Sequence, residues 1–215
     1  MRLNSKTTLM TKLTTAILIA LSAIFFIGCQ KEASVEPSTA GANLTGNYKF
    51  VSAEVESIVT MQTNQAGEDD KTVTQMHYIS KNNSGSVKFD AKTASSSNIA
   101  YTVDTIMKAW IYVNGSLQDS MTLPVQVSIP PSSSIVPYEL IGKDSIYFPA
   151  GLTFVDASNA STAPATTKPS RGRFKVEGDK LYITSSIDES GVKDVQGLHF
   201  YSSTKARTVM ILQKQ

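Results

Sequence analysis

The chain is poor in the residues that carry enzyme chemistry and covalent cross-links. Its 215 residues include one cysteine, one tryptophan and two histidines. A single cysteine excludes a disulfide within the chain, so a hydrophobic core must supply the stability. The sequence also lacks a Gly-x-Ser-x-Gly elbow, a phosphate-binding loop and paired metal-ligand spacings. We therefore expect a non-enzymatic protein without a metal or another cofactor.

Apolar runs are equally scarce, and the one long run lies at the N-terminus. The first 31 residues contain no acidic residue, and Arg2, Lys6 and Lys12 precede the apolar stretch 13–28. A basic segment followed by an apolar segment of this length is typical of a secretory signal. A membrane-spanning helix needs about 20 apolar residues, so a permanent membrane helix is the second alternative.

The end of this run, Phe26-Ile27-Gly28-Cys29, resembles the lipobox of bacterial lipoproteins, with Phe26 in place of the usual leucine. The resemblance implies that residues 1–28 are a signal peptide and that Cys29 receives the lipid. Two or more acyl chains on one residue would anchor the protein stably to a membrane. We expect the outer membrane, with the protein facing either the periplasm or the exterior. The alternative is that Cys29 is an ordinary apolar residue of the signal.

Residues 29–43 form a polar stretch that contains Pro37 and Gly41 and has no apolar periodicity, which indicates a flexible tether. The chain has 20 basic and 18 acidic residues, and loss of the three basic residues of the signal leaves 17 against 18. Because no basic excess remains, we expect no nucleic-acid partner.

Residues 44–215 show the alternation of apolar and polar residues that is typical of strands, and they are predicted to form one domain. Asn114-Gly115 and Gly178-Asp179 are hairpin turns by their residue types. Surface loops are predicted at 128–137 and 156–170, and a turn or short helix at 189–196. Strands are predicted at 46–61, 71–80, 85–90, 98–113, 117–129, 138–141, 145–149, 172–177, 180–187, 197–202 and 207–213. This spacing favours an all-β antiparallel up-and-down barrel, with a β-sandwich as the alternative.

The start of the domain, Gly46-Asn47-Tyr48, resembles the Gly-x-Trp motif on the first strand of the lipocalin family. The resemblance covers 44–215 and implies a lipocalin-like barrel that binds a small apolar ligand. It also implies that Tyr48 closes one end of the barrel and that Arg207, on the last strand, packs across its ring.

Aromatic side chains are the remaining candidates for a site. Tyr101, Trp110, Tyr112 and Tyr182 are predicted to line a ligand cavity or a contact surface, the alternative being that they are core residues. His77 and His199 are interpreted as strand residues, because a metal site would need a further ligand that the sequence does not identify. If the core is filled, the alternative function is a non-enzymatic cell-surface interaction or structural role.

Overall fold

A computed structural model describes residues 43–65, 68–150, 169–195 and 198–215. These ranges contain ten strands and no helix, and every strand pairing is antiparallel. The all-β antiparallel prediction is confirmed. The strands are β1 (Gly46–Gln65), β2 (Glu68–Ile79), β3 (Lys81–Phe89), β4 (Thr93–Val113), β5 (Ser116–Pro137), β6 (Glu139–Ile141), β7 (Ser145–Phe148), β8 (Ser170–Glu177), β9 (Lys180–Val195) and β10 (Leu198–Lys214).

The strands form a single sheet in up-and-down order. Along the sheet the order is β5, β4, β2 with β3, β1, β10, β9, β8, β7 and β6. Strands β2 and β3 lie end to end and share both neighbours, β1 and β4. The two ends of this path, β5 and β6, are consecutive in the chain. The topology is therefore a simple meander in which the last strand, β10, returns to lie beside the first.

A filled core lies where β1, β3 and β7 come together. The Tyr138 ring lies between those of Phe89 and Phe148, with ring centroids 5.4 Å and 6.5 Å away. Phe89 is on β3 and Phe148 is on β7, with four strands between them in the sheet order. The sheet must therefore curl at this end to bring the two rings onto one tyrosine. The other buried core residues are Leu44, Tyr48, Phe50, Ala53, Val87, Ala94, Ile99, Val136, Ile146, Phe174, Leu181, Ile183, Met210 and Leu212.

Six strands continue beyond this core. Their order is β9, β10, β1, β2, β4 and β5, and we call the parts 186–195, 198–208, 54–65, 68–79, 103–113 and 116–128 the distal sheet. A strand of 20 residues such as β1 extends about 66 Å at ~3.3 Å per residue. Strands β6, β7 and β8 are short, and β8 pairs with β9 only as far as Ser185. Closure of the sheet is consequently uneven along its length.

Two segments differ from their predicted structure. Residues 128–137 were expected to be a loop because they contain three prolines, but they form the end of β5 and pair with β4. Proline is tolerated there because β5 is an edge strand that pairs with β4 alone among the described strands. Residues 189–195, expected to hold a turn or short helix, extend β9 along β10. Most of the predicted loop 156–170 lies outside the described residues.

Candidate functional site

One face of the distal sheet continues the apolar surface of the core, and we call it the inner face. Alternation along each strand places every second residue there, so that Leu123, Met107, Met76 and Ser57 form one row across four strands. The next row places Met121 beside Ala109, and Thr74 beside Val59. Half-buried apolar side chains on this face are Met61, Ile111, Met121, Leu123, Val125, Val127 and Ile129.

The inner face becomes polar towards β10. Its positions on that strand are Ser202, Thr204, Ala206 and Thr208, which lie beside Met61, Val59, Ser57 and Val55 of β1. The inner face therefore combines methionine and branched aliphatic side chains on one side with small hydroxyl side chains on the other. Such a surface can hold an alkyl chain and can donate hydrogen bonds to a polar head group.

Two tyrosines mark the boundary between the core and the inner face. The Tyr101 ring lies 6.0 Å from that of Phe50 and shares a side-chain hydrogen bond with Tyr78. Burial raises the pKa of both phenols, and the adjacent Tyr101 raises the pKa of Tyr78 further. Both hydroxyl groups thus remain neutral at physiological pH. Of the aromatic residues predicted to line a site, Tyr101 is the one that lies on the inner face.

The other predicted aromatic residues lie on the opposite, outer face. Trp110 is paired with Val73, and Tyr112 with Lys71, whose ammonium nitrogen lies 4.7 Å from the centroid of the tyrosine ring. All four are partly buried. Tyr182 alternates with buried Leu181 and Ile183 and therefore also points outward. The structure consequently divides the predicted aromatic set between two faces.

Gly46 and Tyr48 lie at the filled end of the sheet, but the predicted partner Arg207 does not. Tyr48 is buried, and its hydroxyl donates to the Leu44 carbonyl oxygen at 3.0 Å. Its strand partner on β10 is Lys214, whereas Arg207 lies opposite Glu56. Eight positions along β1 correspond to about 26 Å, so the guanidinium cannot pack across the Tyr48 ring. This prediction was wrong because it assigned a partner on β10 without knowing the register.

A group of ionisable residues on the outer face was not predicted from the sequence. Glu54, Glu56 and His77 each place one side-chain oxygen or nitrogen atom within 4.8 Å of the others. His77 Nε2 lies 3.0 Å from Glu54 Oε1. Gln65 pairs with Glu68, and this register sets Glu56 opposite His77; the alternation along either strand alone does not give the register.

No protein-family model, curated protein or solved structure matches this chain. Among the described residues, no helix is long and apolar enough to cross a membrane. The predicted signal peptide 1–28, the predicted lipidation site Cys29 and all of the predicted tether 29–43 except residue 43 lie outside the described residues.

Proposed function

We propose that this protein is a lipid-anchored, non-enzymatic binding protein that holds a small apolar ligand against the inner face of the distal sheet. The observation that carries the proposal is the continuous band of half-buried methionine and aliphatic side chains on β1, β4 and β5. Side chains that remain half-exposed on the face that also forms the core are the ones a ligand could still cover.

The finer architecture that fits this role is an uneven lipocalin-like barrel, with one end filled by rings and the other available to a ligand. Its support is the meander order, together with Tyr138, which lies between β5 and β6 and contacts rings from two distant parts of the sheet. Anchoring would be through lipid on Cys29 at the outer membrane. The support for that part is the apolar segment ending at Gly28 and the polar tether that follows it.

Apolar contact alone can supply useful affinity for a ligand on the inner face. Each methylene group removed from water contributes about 0.8 kcal/mol before the costs of association. Methionine adapts its shape to irregular ligands, and Met61 and Met121 are both half-buried on this face. The expected ligand class is therefore a fatty acid or another molecule with a single alkyl chain, with its head group beside the hydroxyls of β10.

The test is native mass spectrometry of the detergent-solubilised full chain after incubation with oleic acid. We expect one retained adduct for the wild type and at least about tenfold weaker retention for Leu123→Gln, because a buried amide on the inner face lacks a partner. Thr122→Gln is the matched control, since Thr122 is the exposed outer-face neighbour on the same strand. Equal retention by both variants, or no adduct on the folded wild type, would reject the inner face as a ligand site.

A surface-interaction role is the second candidate, and it has its own support on the outer face. Ile58, Ile79 and Ile106 there are 43%, 54% and 57% exposed, on three adjacent strands. Large apolar side chains left exposed on neighbouring strands are typical of contact surfaces. If neither oleic acid nor a lipid extract of the host gives an adduct, this second function becomes the better supported one.

A further inference from the structure

Glu54, Glu56 and His77 form a compact set of metal-ligating side chains on the outer face of the distal sheet. Glu54 and Glu56 are two positions apart on β1, so both point to the same face, and His77 lies directly opposite Glu56 on β2. The three ligating atoms lie within 4.8 Å of one another. Nothing in the inner-face ligand proposal uses these residues.

The spacing needs only a small adjustment to hold an ion. Metal–ligand distances of about 2.0–2.2 Å place the ligand atoms of a tetrahedral zinc site about 3.4 Å apart. His77 Nε2 and Glu54 Oε1 are already 3.0 Å apart. The side chains of His77 and Glu54 are 54% and 36% exposed, which leaves them free to turn. Rotation of the exposed Glu56 side chain can supply the remaining movement.

The backbone that carries these side chains is held on both sides. β1 lies between β10 and β2, and β2 pairs in turn with β4. The Thr105 hydroxyl, on β4, donates to the His77 carbonyl oxygen at 2.5 Å. Ligands placed on paired strands of a sheet keep their spacing better than ligands on loops.

The chemistry of the set selects the class of ion. Carboxylates alone would favour calcium or magnesium, but an imidazole nitrogen among the ligands favours zinc or copper. Arg207 lies opposite Glu56 on β10 and brings a positive charge to the same face. That charge repels every divalent cation alike, so the preference for zinc or copper depends on the imidazole nitrogen.

We propose that Glu54, Glu56 and His77 bind one divalent transition-metal ion of the zinc or copper class. Three protein ligands leave at least one coordination position for water or for a donor from another molecule. Metal binding replaces the contact between His77 Nε2 and Glu54 Oε1 with a bond from each atom to the ion.

The two histidines of the sequence make a direct experiment possible. The full chain labelled with ¹⁵N-histidine gives two imidazole spin systems, and Zn²⁺ is titrated while both are observed. We expect the His77 signals to shift to saturation at one equivalent of zinc and those of His199 to stay in place. Movement of the His199 signals alone, or no saturable shift up to about 1 mM zinc, would overturn the proposal.

Calorimetric titration of variants with zinc tests whether His77 and a carboxylate both act as ligands. His77→Gln and Glu56→Gln should each weaken zinc binding by at least about tenfold, and His199→Gln should leave it unchanged. Each variant is repeated with Cys29→Ser, because a free thiol would also bind zinc, and the same pattern is expected. Equal affinities for wild type and His77→Gln, or equal competition by Ca²⁺, would show that the imidazole is not a ligand and would refute the site.

Discussion

At the residue scale, Gly85 occupies a position where the structure has no room for a side chain. Its φ is +102°, a conformation that side-chain-bearing residues rarely adopt, and an added Cβ would lie 2.5 Å from the Asn98 carbonyl oxygen. This is where the pairing of β3 with β4 is irregular. Glycine therefore allows the two backbones to approach at a bulge next to the core.

Gly85→Ala should consequently destabilise the fold by about 2 kcal/mol, because both the backbone conformation and the contact become unfavourable. The measurement is thermal or urea unfolding followed by circular dichroism. Gly191→Ala is the matched control, since its φ is not in the left-handed region and an added Cβ there meets nothing within 4 Å. If the two variants unfold alike, the close approach at Asn98 is not a constraint.

The sequence predicts which side chains are buried better than it predicts their partners on neighbouring strands. The burial of Tyr48 and Phe50 agrees with the alternation of apolar residues on β1. The partner of Tyr48 could not be predicted, because the register between β1 and β10 also depends on an irregularity between Phe50 and Ser52. The Glu54, Glu56 and His77 group was missed for the same reason, since its members meet only through cross-strand pairing.

At the element scale, the break between β2 and β3 is stabilised by two side chains, those of Ser80 and Asn83. Ser80, 4% exposed, accepts a hydrogen bond from the Ala53 amide through its Oγ at 2.8 Å, and its own amide donates to the Ala53 carbonyl oxygen. The Asn83 amide group donates to the Val51 and Ser80 carbonyl oxygens. Side chains thus replace ladder hydrogen bonds where the long strand is interrupted.

Ser80→Ala should therefore cost about 1–3 kcal/mol, because it leaves the buried Ala53 amide without its partner. Hydrogen exchange monitored by mass spectrometry should show faster exchange of the peptide that contains Ala53. Ser84→Ala is the control, as Ser84 is an exposed serine on the same continued strand. Unchanged protection of Ala53 in Ser80→Ala would contradict this assignment.

The ends of strands could be predicted where the residue types of a turn mark them. Asn114 and Gly115 have φ values of +50° and +76°, as the hairpin dipeptide predicts. The end of β5 was not predicted, because prolines at 130, 131 and 137 indicate a loop unless the strand is known to lie at an edge. That position is a property of the whole sheet and cannot be deduced from the segment itself.

At the scale of the whole molecule, the proposed anchor sets where the distal sheet can act. Residues 30–45 separate Cys29 from the first strand, so a lipid on Cys29 would hold the domain close to a membrane surface. A ligand with an alkyl chain would then be exchanged with the same membrane.

Cys29→Ala should abolish labelling by radioactive palmitate and release the protein from washed membranes, because the acyl chains would have no attachment atom. The measurement is membrane fractionation with immunoblotting beside the labelling. Gln30→Ala, the adjacent change, should leave both unaffected. If the Cys29→Ala variant stayed on the membranes and was still labelled by palmitate, another residue would carry the lipid.

The pairing of β1 with β10 also governs when the molecule can fold. One edge of β1 pairs with β2, which follows it directly among the strands of the chain. The other edge has no partner until residues 198–214 are available. Contacts between segments so distant in sequence form slowly and late. A chain still attached to the ribosome therefore lacks its complete sheet until residues 198–214 have been synthesised and are free to pair with β1. The order of the strands thus couples completion of the sheet to the synthesis of β10, so the two long flanks of β1 are paired at different times.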